Sequence, residues 1–276
     1  MPARTLRLAP SALPPRVVLL CADGPQHRYL AALLARSPGL AGVVVETGEA
    51  QKRRLRDAGF RRGLRARVVH EWRQRLLGYR RHRRRYFAAL EPEWPDLPTV
   101  RPPWINAAET AEALDRWRPD VTVVCGTSII RPEILARAGH AVNVHAGVLP
   151  GYRGNQCFFM ALYEADYDGI GASLHLVTPE LDAGPVLAVV RPPMGPGDHE
   201  ESLYSRSMHR AALVLADLLS RLAAGEALPV ADQAPGGRTF RNADRRLRHD
   251  VRFLLLRLSG RRRCPTRSDF RVTFPS

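Results

Sequence analysis

Short apolar runs alternate with amphipathic stretches along the first half of the chain. The runs at residues 16–22, 40–46 and 121–125 are bounded by turn-forming residues, which predicts buried strands. Between the first two runs, residues 29–35 carry apolar side chains at helical spacing. A strand, a turn, a helix and a strand in succession are typical of a parallel sheet. The pattern therefore predicts an α/β fold, with a Rossmann-like, mostly parallel sheet and helices on both faces.

The same pattern continues in the second half of the predicted domain. Further strands are predicted at residues 141–145 and 172–177, and the apolar stripe of residues 203–222 predicts a long amphipathic helix. The pattern stops after Gly225. The main domain is therefore predicted to span residues 16–225.

Both ends of the chain are predicted to lie outside this domain. Prolines interrupt residues 1–15, which predicts a disordered leader, and the apolar run that follows is interpreted as the first strand and not as a signal peptide. Residues 226–276 are predicted to form a short C-terminal extension. Within that extension, residues 253–258 are the only segment expected to pack.

The net charge of +15 is concentrated in two segments. Residues 51–85 contain 15 Lys or Arg against 2 Asp or Glu, a net charge of +13, and residues 236–273 contain 12 against 3, a net charge of +9. Residues 101–235 contain 10 against 16, a net charge of −6. The basic excess is therefore predicted to lie outside the main body of the domain, in a helical insertion of about residues 51–98 and in the extension.

Such basic segments can meet nucleic acid, an anionic membrane surface or an anionic substrate. Aromatic residues such as Trp72 and Tyr79 lie between the arginines, which suits either RNA binding or an apolar face packed on the body. Lys52 is the only lysine, so the arginine content also fits a compositional bias of the coding sequence. The favoured interpretation is a solvated, arginine-rich helix, with nucleic acid as an alternative partner.

The cysteine, histidine and hydropathy patterns argue against several classes of protein. The four cysteines form no CxxC pair and are too sparse for a disulfide scaffold, which predicts a reduced, cytoplasmic protein. No apolar run is long enough to predict a membrane span. The histidines show no HExxH or paired Cys/His spacing, so no metal is predicted. The turn at Gly24 lacks the GxGxxG and P-loop patterns of nucleotide sites.

Two polar residues interrupt the apolar strand predicted at residues 141–145. Asn143 and His145 are two residues apart, so their side chains leave the same face of the strand. Turn formers follow directly, which places both side chains at the carboxyl end of a strand, where open α/β sheets bind ligands. Asp182 follows the next strand-like run, in a second turn-rich segment. Together these residues predict a polar site.

The same segments carry three ordered landmarks of a known family. The landmarks are Asn143-Val-His145, then Leu149-Pro150 followed by Tyr152-Arg153-Gly154, then Leu181-Asp182-Ala-Gly184-Pro-Val. In this order and spacing they resemble the folate-dependent formyltransferases, which include the glycinamide ribonucleotide, methionyl-tRNA and nucleotide-linked amino-sugar formyltransferases. The resemblance extends from about Trp117 to Leu219 and is patchy elsewhere.

The resemblance implies a formyl donor and two sets of site residues. The implied donor is 10-formyl-tetrahydrofolate. The implied catalytic residues are Asn143, His145 and Asp182. The implied folate-binding residues are Gly126, Thr127, Ser128, Ile129, Ile130, Glu180, Leu181 and Asp182. Just beyond the catalytic strand, the candidates for substrate binding are Tyr152, Arg153 and Gly154. Arg153 is predicted either to grip an acceptor phosphate with its planar fork or to brace its own loop.

Formyl transfer to an amine needs an acceptor for the amine proton and hydrogen-bond donors for a tetrahedral oxyanion. Asn143 and His145 can donate to the oxyanion. Asp182, close to His145, would hold the charge of the imidazole and help to move protons through a bound water. Because the amine attacks the formyl carbon directly, no nucleophilic side chain is needed, and Cys157 is interpreted as a buried thiol.

The acceptor is predicted to be a primary amine, with a phosphorylated, nucleotide-linked amino sugar as the leading candidate. Methionyl-tRNA formyltransferases carry a longer C-terminal RNA-binding domain than residues 226–276 are expected to form. The turn at Gly24 lacks the Gly-Ser-Asn element that the glycinamide ribonucleotide enzymes use for phosphate capture. The alternatives are glycinamide ribonucleotide, an amino acid, hydrolysis of 10-formyl-tetrahydrofolate, or an RNA-binding protein on the same scaffold. A homodimer is left open.

Overall fold

The computed structural model describes residues 4–11, 13–37, 39–91 and 93–275. The strands are β1 (Arg4–Leu6), β2 (Val17–Cys21), β3 (Leu40–Val45), β4 (Thr99–Val100), β5 (Val121–Cys125), β6 (His140–His145), β7 (Tyr152–Gly154), β8 (Ala172–Leu176), β9 (Val186–Arg191), β10 (Leu228–Val230), β11 (Arg238–Phe240) and β12 (Arg271–Thr273). The helices are α1 (Pro25–Ala35), α2 (Gly48–Asp57), α3 (Arg61–Leu76), α4 (Tyr79–Ala88), α5 (Ala108–Trp117), α6 (Pro132–Leu135), α7 (Cys157–Glu164), α8 (Glu200–Ala223) and α9 (Leu247–Leu258).

The main sheet has eight strands in the order β12-β9-β8-β6-β5-β2-β3-β4. Strands β6, β5, β2, β3 and β4 are parallel neighbours, while β8, β9 and β12 extend the sheet in antiparallel fashion. Strands β2 and β5 are buried along their whole length, as expected for central strands covered on both faces. The predicted Rossmann-like, mostly parallel α/β fold is confirmed.

The sheet separates two apolar clusters because successive strand residues point to opposite faces. Leu19 and Cys21 of β2 face the cluster that includes α1 and α8. Val18 and Leu20 of the same strand face the cluster that includes α5. Helices therefore cover both faces. The chain leaves β2 toward β3 on one side and returns to β5 on the other, which makes the β2–β5 boundary a topological switch point.

The segment predicted as a disordered leader contributes a strand. β1 pairs with β10 in antiparallel register, with Leu6 opposite Leu228. Both leucines are buried in the larger cluster. The prediction of disorder is therefore wrong for β1, because its backbone is hydrogen-bonded to a distant strand and its last side chain enters the core. Parts of the predicted leader, residues 1–3 and 12, lie outside the described residues.

The C-terminal residues return to the body after the predicted boundary at Gly225. β12 adds to the edge of the main sheet beside β9, and β11 pairs in parallel with β7. Phe240 and Cys264 are buried in a third cluster, whereas Leu254 and Leu258 of α9 are exposed. The expectation that only residues 253–258 would pack is therefore wrong, since strand pairing anchors the extension at several other positions.

The basic insertion is helical, as predicted, and consists of α2, α3 and α4. Helix α4 lies against α1 and α8, with Phe87 fully buried between them. Arg83 of the same helix donates two hydrogen bonds of 2.6 Å to the carboxylate of Glu201. An arginine-rich helix is thus attached to the body through its inward face. Within the described residues, no helix has the length and apolar character needed to cross a membrane.

Candidate active site

Asn143, His145 and Asp182 meet on one face of the main sheet. Asn143 and His145 leave the same face at the end of β6. Asp182 lies in the loop between β8 and β9, which folds back over that face. Asp182 Oδ1 lies 3.4 Å from Asn143 Nδ2, and its Oδ2 lies 3.4 Å from His145 Nδ1. The structure therefore brings together the three side chains that the sequence predicted as catalytic.

Strand β7 also contacts the carboxylate of Asp182. The backbone N–H of Gly154 donates to Asp182 Oδ2 at 2.9 Å. Gly154 has a φ of +89°, and a Cβ there would collide with the carbonyl of Phe240 on β11. Glycine at this position thus lets β7 and β11 pair closely while its N–H points at the carboxylate.

Asp182 is ionised at neutral pH although it is largely buried. Burial opposes ionisation, but attraction to the imidazoles of His145 and His175 when they carry a proton, together with the N–H of Gly154, outweighs that effect. Together they lower the pKa of Asp182 to about 2. The site therefore contains one fixed negative charge in a shielded position.

His145 is buried beside this charge, and burial lowers its pKa below the ordinary value. The carboxylate of Asp182 opposes that shift only in part. His145 Nε2 lies 2.9 Å from the carbonyl oxygen of Tyr152, which can only accept, so the proton of the neutral ring is on Nε2. Nδ1 then faces the carboxylate unprotonated, and a proton that arrives on Nδ1 is stabilised by Asp182.

His175, one of the histidines for which the sequence predicted no metal, is a fourth member of the site. It pairs with Asn143 across the β6–β8 register, and its Nε2 lies 3.0 Å from Asn143 Nδ2. Its Nδ1 donates to the carbonyl of Leu176 at 2.8 Å, which leaves Nε2 as an acceptor for the Asn143 amide. The sequence signal for this role was a histidine within an apolar run. That signal does not identify Asn143 as the partner, because the pairing depends on strand register.

The predicted folate loop, residues 126–130, follows β5 and is fixed by a buried carboxylate. Glu46 Oε2 accepts from the backbone N–H of Ser128 at 2.6 Å and from Gln51 Nε2 at 2.9 Å. Gln51 also donates to the carbonyl of Gly126 at 3.1 Å. Gly126 and Ile129 are exposed, Thr127 and Ser128 are half-buried, and Ile130 is buried. The loop thus presents exposed residues on an anchored backbone.

Part of the predicted folate loop shares a face of the sheet with Asn143. Asn143 is in register with Val124 of β5, so the two side chains project to the same side. Val124 and Ile130 belong to the cluster against which Val177, at the start of the Asp182 loop, also packs. Glu180 and Leu181 are exposed in that second loop, next to Asp182. The eight residues predicted to bind folate therefore lie in two loops, and each loop is joined to the cluster on the Asn143 face.

The structure gives different surroundings to the residues predicted to bind substrate. Tyr152 is buried, and its hydroxyl donates to Asp166 at 2.8 Å and lies 3.1 Å from Glu164. Its side chain points into the third cluster, so the prediction that Tyr152 binds substrate is wrong for its side chain. Gly154 contributes its N–H to Asp182.

Arg153 is half-buried and braces its surroundings through a neighbour that the sequence analysis did not identify. Arg153 Nη2 donates to Gln233 Oε1 at 2.8 Å. Gln233 Nε2 in turn donates to the backbone carbonyls of Asp182 and Gly184 at 2.8 and 2.7 Å. Gln233 lies between β10 and β11 in the C-terminal extension, and nothing in the local sequence around it signals this role. The contacts match the bracing alternative for Arg153.

The basic helices form part of the surroundings of the site. His70 Nδ1 on α3 lies 3.0 Å from Nε2 of Gln156, the residue that precedes α7. Gln156 donates to Asn242 at 2.7 Å and accepts from Arg245 at 3.3 Å. The insertion and the C-terminal extension therefore both reach the segment that follows Gly154.

Two other chemical roles find no support in this geometry. Cys157 is buried, its Sγ lies 3.8 Å from His145 Nε2, and burial raises its thiol pKa well above the ordinary value. The thiol is therefore protonated and a poor nucleophile. Among the described residues, His, Cys, Asp and Glu side chains form no group of three or more that could hold a metal ion.

Comparisons with known proteins identify what this chain is similar to. Residues 86–219, just under half of the chain, match the family model described as formyl transferase. The match confirms the resemblance that the three landmarks indicated. It also begins earlier than the landmarks, within the basic insertion.

Two curated relatives share this segment. The methionyl-tRNA formyltransferase of Myxococcus xanthus (strain DK1622) is 33% identical over 142 residues, covering 51% of this chain and 45% of the relative. The phosphoribosylglycinamide formyltransferase of Escherichia coli (strain K12) is 36% identical over 100 residues, covering 36% of this chain and 47% of the relative. The chain thus spans about half the length of the curated relatives it matches.

A solved structure extends the likeness to most of the fold. The sugar N-formyltransferase from Shewanella sp. FDAARGOS_354 aligns with a TM-score of 0.55 at 15% identity, covering 87% of each chain. The fold is therefore similar to that of this structure over most of the chain, including regions that the sequence match does not reach.

Proposed function

From the formyl transferase match of residues 86–219, we propose that the protein is an N-formyltransferase that uses 10-formyl-tetrahydrofolate as its formyl donor. The observation that carries the proposal is the contact of Asp182 with both Asn143 and His145 at 3.4 Å on one face of the sheet. An ionised carboxylate that contacts both a neutral imidazole and an amide supplies what amine formylation requires.

In the proposed reaction the neutral amine of the acceptor attacks the formyl carbon and forms a tetrahedral oxyanion. Asn143 already donates one amide hydrogen to His175 at 3.0 Å, and its other hydrogen makes only a long contact of 3.4 Å with Asp182. This second hydrogen is the one available to the oxyanion. His175 keeps the amide oriented, since it accepts the first hydrogen.

The proton lost by the attacking nitrogen passes to the Asp182–His145 pair. The carboxylate receives it directly or through water, and the unprotonated Nδ1 of His145 shares it. The carbon–nitrogen bond to the folate then breaks, the departing nitrogen takes a proton, and the pair returns to its starting state. In this proposal His145 acts mainly as a proton acceptor through Nδ1, while its Nε2–H continues to donate to the Tyr152 carbonyl.

The two loops joined to the cluster on the Asn143 face are the proposed folate contacts. Residues 126–130 have an anchored backbone with exposed positions, and residues 180–182 lead into the catalytic carboxylate. The exposed Ile129 and Leu181 supply apolar surface of the kind that a pterin ring packs against.

For the acceptor we propose the amine of a nucleotide-linked amino sugar, with glycinamide ribonucleotide or an amino acid as alternatives. The E. coli relative is named for phosphoribosylglycinamide, and the M. xanthus relative for methionyl-tRNA. An RNA acceptor or an RNA-binding role is less favoured, because Arg73 and Arg83 of the insertion already pair with Asp250 and Glu201. Hydrolysis, with water in place of the amine, remains the alternative reaction.

The test is turnover of 10-formyl-tetrahydrofolate by purified protein against a panel of amines, with Asp182→Asn as the key variant. We expect formylated product from one amine class and a loss of about a hundredfold or more in kcat for the variant, the scale of a lost oxyanion-stabilising or proton-accepting group. Asp115→Asn, in an exposed ion pair with Arg137, is the matched control and should retain full activity. Near-normal turnover by Asp182→Asn would refute the proposed mechanism. Loss of formyl donor without any amine product would favour the hydrolase.

A further inference from the structure

Helix α9 turns an apolar stripe toward solvent. Its exposed residues Leu247, Val251, Leu254, Leu255 and Leu258 lie at intervals of three and four, so they share one side of the helix. Each of them is between 51% and 75% exposed. The opposite side carries Phe253, which stacks edge-on against Phe159 of α7. A surface helix normally buries its apolar stripe, and α9 presents one outward.

Helix α3 repeats this arrangement. Val69, Trp72 and Leu76 follow one another at intervals of three and four along its outer side. They are between 46% and 81% exposed, and Leu77 extends the patch at the end of the helix. The inner side of α3 is polar and holds His70 against Gln156.

Helices α3 and α9 are joined by an ion pair. Arg73 of α3 pairs with Asp250 of α9, with Nη2 at 2.9 Å from Oδ2. Val69 and Leu76 lie one turn before and after Arg73, and Leu254 lies one turn after Asp250, so apolar side chains flank the contact on both helices. The exposed apolar residues on the two sides of this ion pair are hereafter the α3–α9 surface. Patches of this kind mark interaction sites.

Arginines surround the α3–α9 surface. Helix α3 carries six arginines and one glutamate, and α9 carries three arginines and one aspartate. Arg65 and Arg75 of α3 and Arg248 of α9 are exposed, and the guanidinium of Arg75 lies over the Trp72 ring. The partner of this surface is therefore apolar at its centre and negatively charged around it.

The combination of apolar stripes and surrounding arginines indicates which partner fits the α3–α9 surface. A second copy of the chain in a symmetric contact would place arginines against arginines. A nucleic acid would satisfy the arginines, but it would leave leucine and valine side chains without an apolar partner, and Trp72 is the only aromatic within the two stripes. An anionic lipid bilayer offers hydrocarbon below and phosphate at the surface, which matches both features.

We propose that the α3–α9 surface is a peripheral docking site for an anionic membrane. The leucines of α9 and Leu76 enter the boundary between headgroups and acyl chains, while the helices lie in the plane of the membrane. Trp72 occupies the interface, and the arginines extend their aliphatic stems over the apolar patch with their charges among the phosphates. This role does not depend on the reaction proposed above.

The test is co-sedimentation of the full chain with vesicles of phosphatidylcholine, either alone or mixed with phosphatidylglycerol. We expect binding only to the mixed vesicles, and binding that weakens as salt is raised. The triple change Leu254→Gln, Leu255→Gln and Leu258→Gln should reduce partitioning more than tenfold. Because all three side chains are exposed, the fold should be retained, which circular dichroism checks. Leu13→Gln, an exposed leucine outside both helices, is the matched control.

A charge variant, Arg65→Gln with Arg248→Gln, separates the electrostatic contribution and should weaken binding to the mixed vesicles several-fold. Arg116→Gln, an exposed arginine on α5, should not. Absence of binding to anionic vesicles at low salt would overturn the proposal, as would equal binding by the leucine variant. A dimer detected by analytical ultracentrifugation and abolished by the leucine variant would assign the surface to a second copy instead.

Discussion

The side chain of Gln233 donates a hydrogen bond to the backbone carbonyl of Asp182 at 2.8 Å. Asp182 has a φ of +50°, in the left-handed region that costs a non-glycine residue about 1–2 kcal/mol. The same amide nitrogen binds the carbonyl of Gly184, so Gln233 spans the turn that contains the carboxylate. A residue of the C-terminal extension therefore stabilises the backbone conformation that orients the proposed catalytic acid–base group.

Replacement of Gln233 by methionine keeps the size of the side chain and removes its two hydrogen bonds to backbone carbonyls and the one it accepts from Arg153. Each bond contributes about 0.5–1.5 kcal/mol, so we expect kcat to fall about tenfold as the Asp182 turn loosens, and the melting temperature to drop by a few degrees. Steady-state kinetics and thermal unfolding measure the two effects. Asp232→Asn, at the exposed neighbouring position, should change neither. Unchanged kcat in Gln233→Met would show that the turn holds its shape without this contact.

Arg153→Lys distinguishes bracing from phosphate binding. Arg153 binds Gln233 in the structure, and lysine cannot reproduce the planar fork of the guanidinium. If bracing is its role, the variant should weaken folate and acceptor binding together and lower the melting temperature. A rise in the acceptor KM alone, with folate affinity and stability intact, would instead assign Arg153 to an acceptor phosphate. Folate binding by calorimetry and the two KM values provide the measurement.

The buried pair of Arg83 and Glu201 ties the basic insertion to α8. Their two hydrogen bonds are 2.6 Å long. Burial raises the pKa of Glu201, and the opposing effect of Arg83 only partly offsets that rise. Arg83→Met removes one partner and leaves the carboxylate buried, so we expect the free energy of unfolding to fall by about 3–5 kcal/mol in a urea titration. Arg84→Met, an exposed arginine next in sequence, should have little effect. A loss below about 1 kcal/mol would mean that water reaches the carboxylate.

His27 makes stability depend on pH. Burial lowers its pKa to about 3, and its Nδ1 accepts from the N–H of Gly24 at 3.0 Å. Below about pH 6.5 the unfolded chain binds a proton that the folded chain excludes until about pH 3. Stability therefore decreases as the pH falls through this window, by about 1.4 kcal/mol per pH unit for this residue.

The variant His27→Asn tests this assignment, because asparagine can accept from Gly24 and does not titrate. Its unfolding free energy should decline less steeply between neutral and acidic pH than that of the parent protein. His140→Asn, at an exposed position, is the control and should keep the parent slope. Equal slopes for parent and His27→Asn would show that other groups set the acid sensitivity.

The central strands and the placement of Asn143 and His145 on one face were predictable because they depend on local pattern. Strands β2 and β5 are covered on both faces, and such strands appear in a sequence as short continuous apolar runs. Because alternate residues of a strand share a face, the sequence alone placed Asn143 and His145 on the same face. The landmark order added Asp182, and the structure places it at 3.4 Å from each.

Other parts of the site were not predictable because they depend on contacts between distant segments. His175 reaches Asn143 through an antiparallel register, which a slip of one residue would abolish. Tyr152 has a turn-rich environment in the sequence, yet its ring lies in a buried cluster beside Phe240 of the extension. The Arg153 alternatives were equal in the sequence, and only the structure places Gln233 beside its guanidinium.

The sequence by itself determined the class of fold, the strand that carries Asn143 and His145, and the resemblance of the central segment to the formyltransferases. Each of these follows from residue spacing within a short stretch of chain. Tertiary structure alone decided that β1 pairs with β10, that Gln233 supports Asp182, and that an ion pair joins α3 and α9, which both expose apolar stripes. These relationships join segments that are far apart in sequence. The free energy of folding then depends on which surfaces pack together, and a local sequence pattern does not specify that packing.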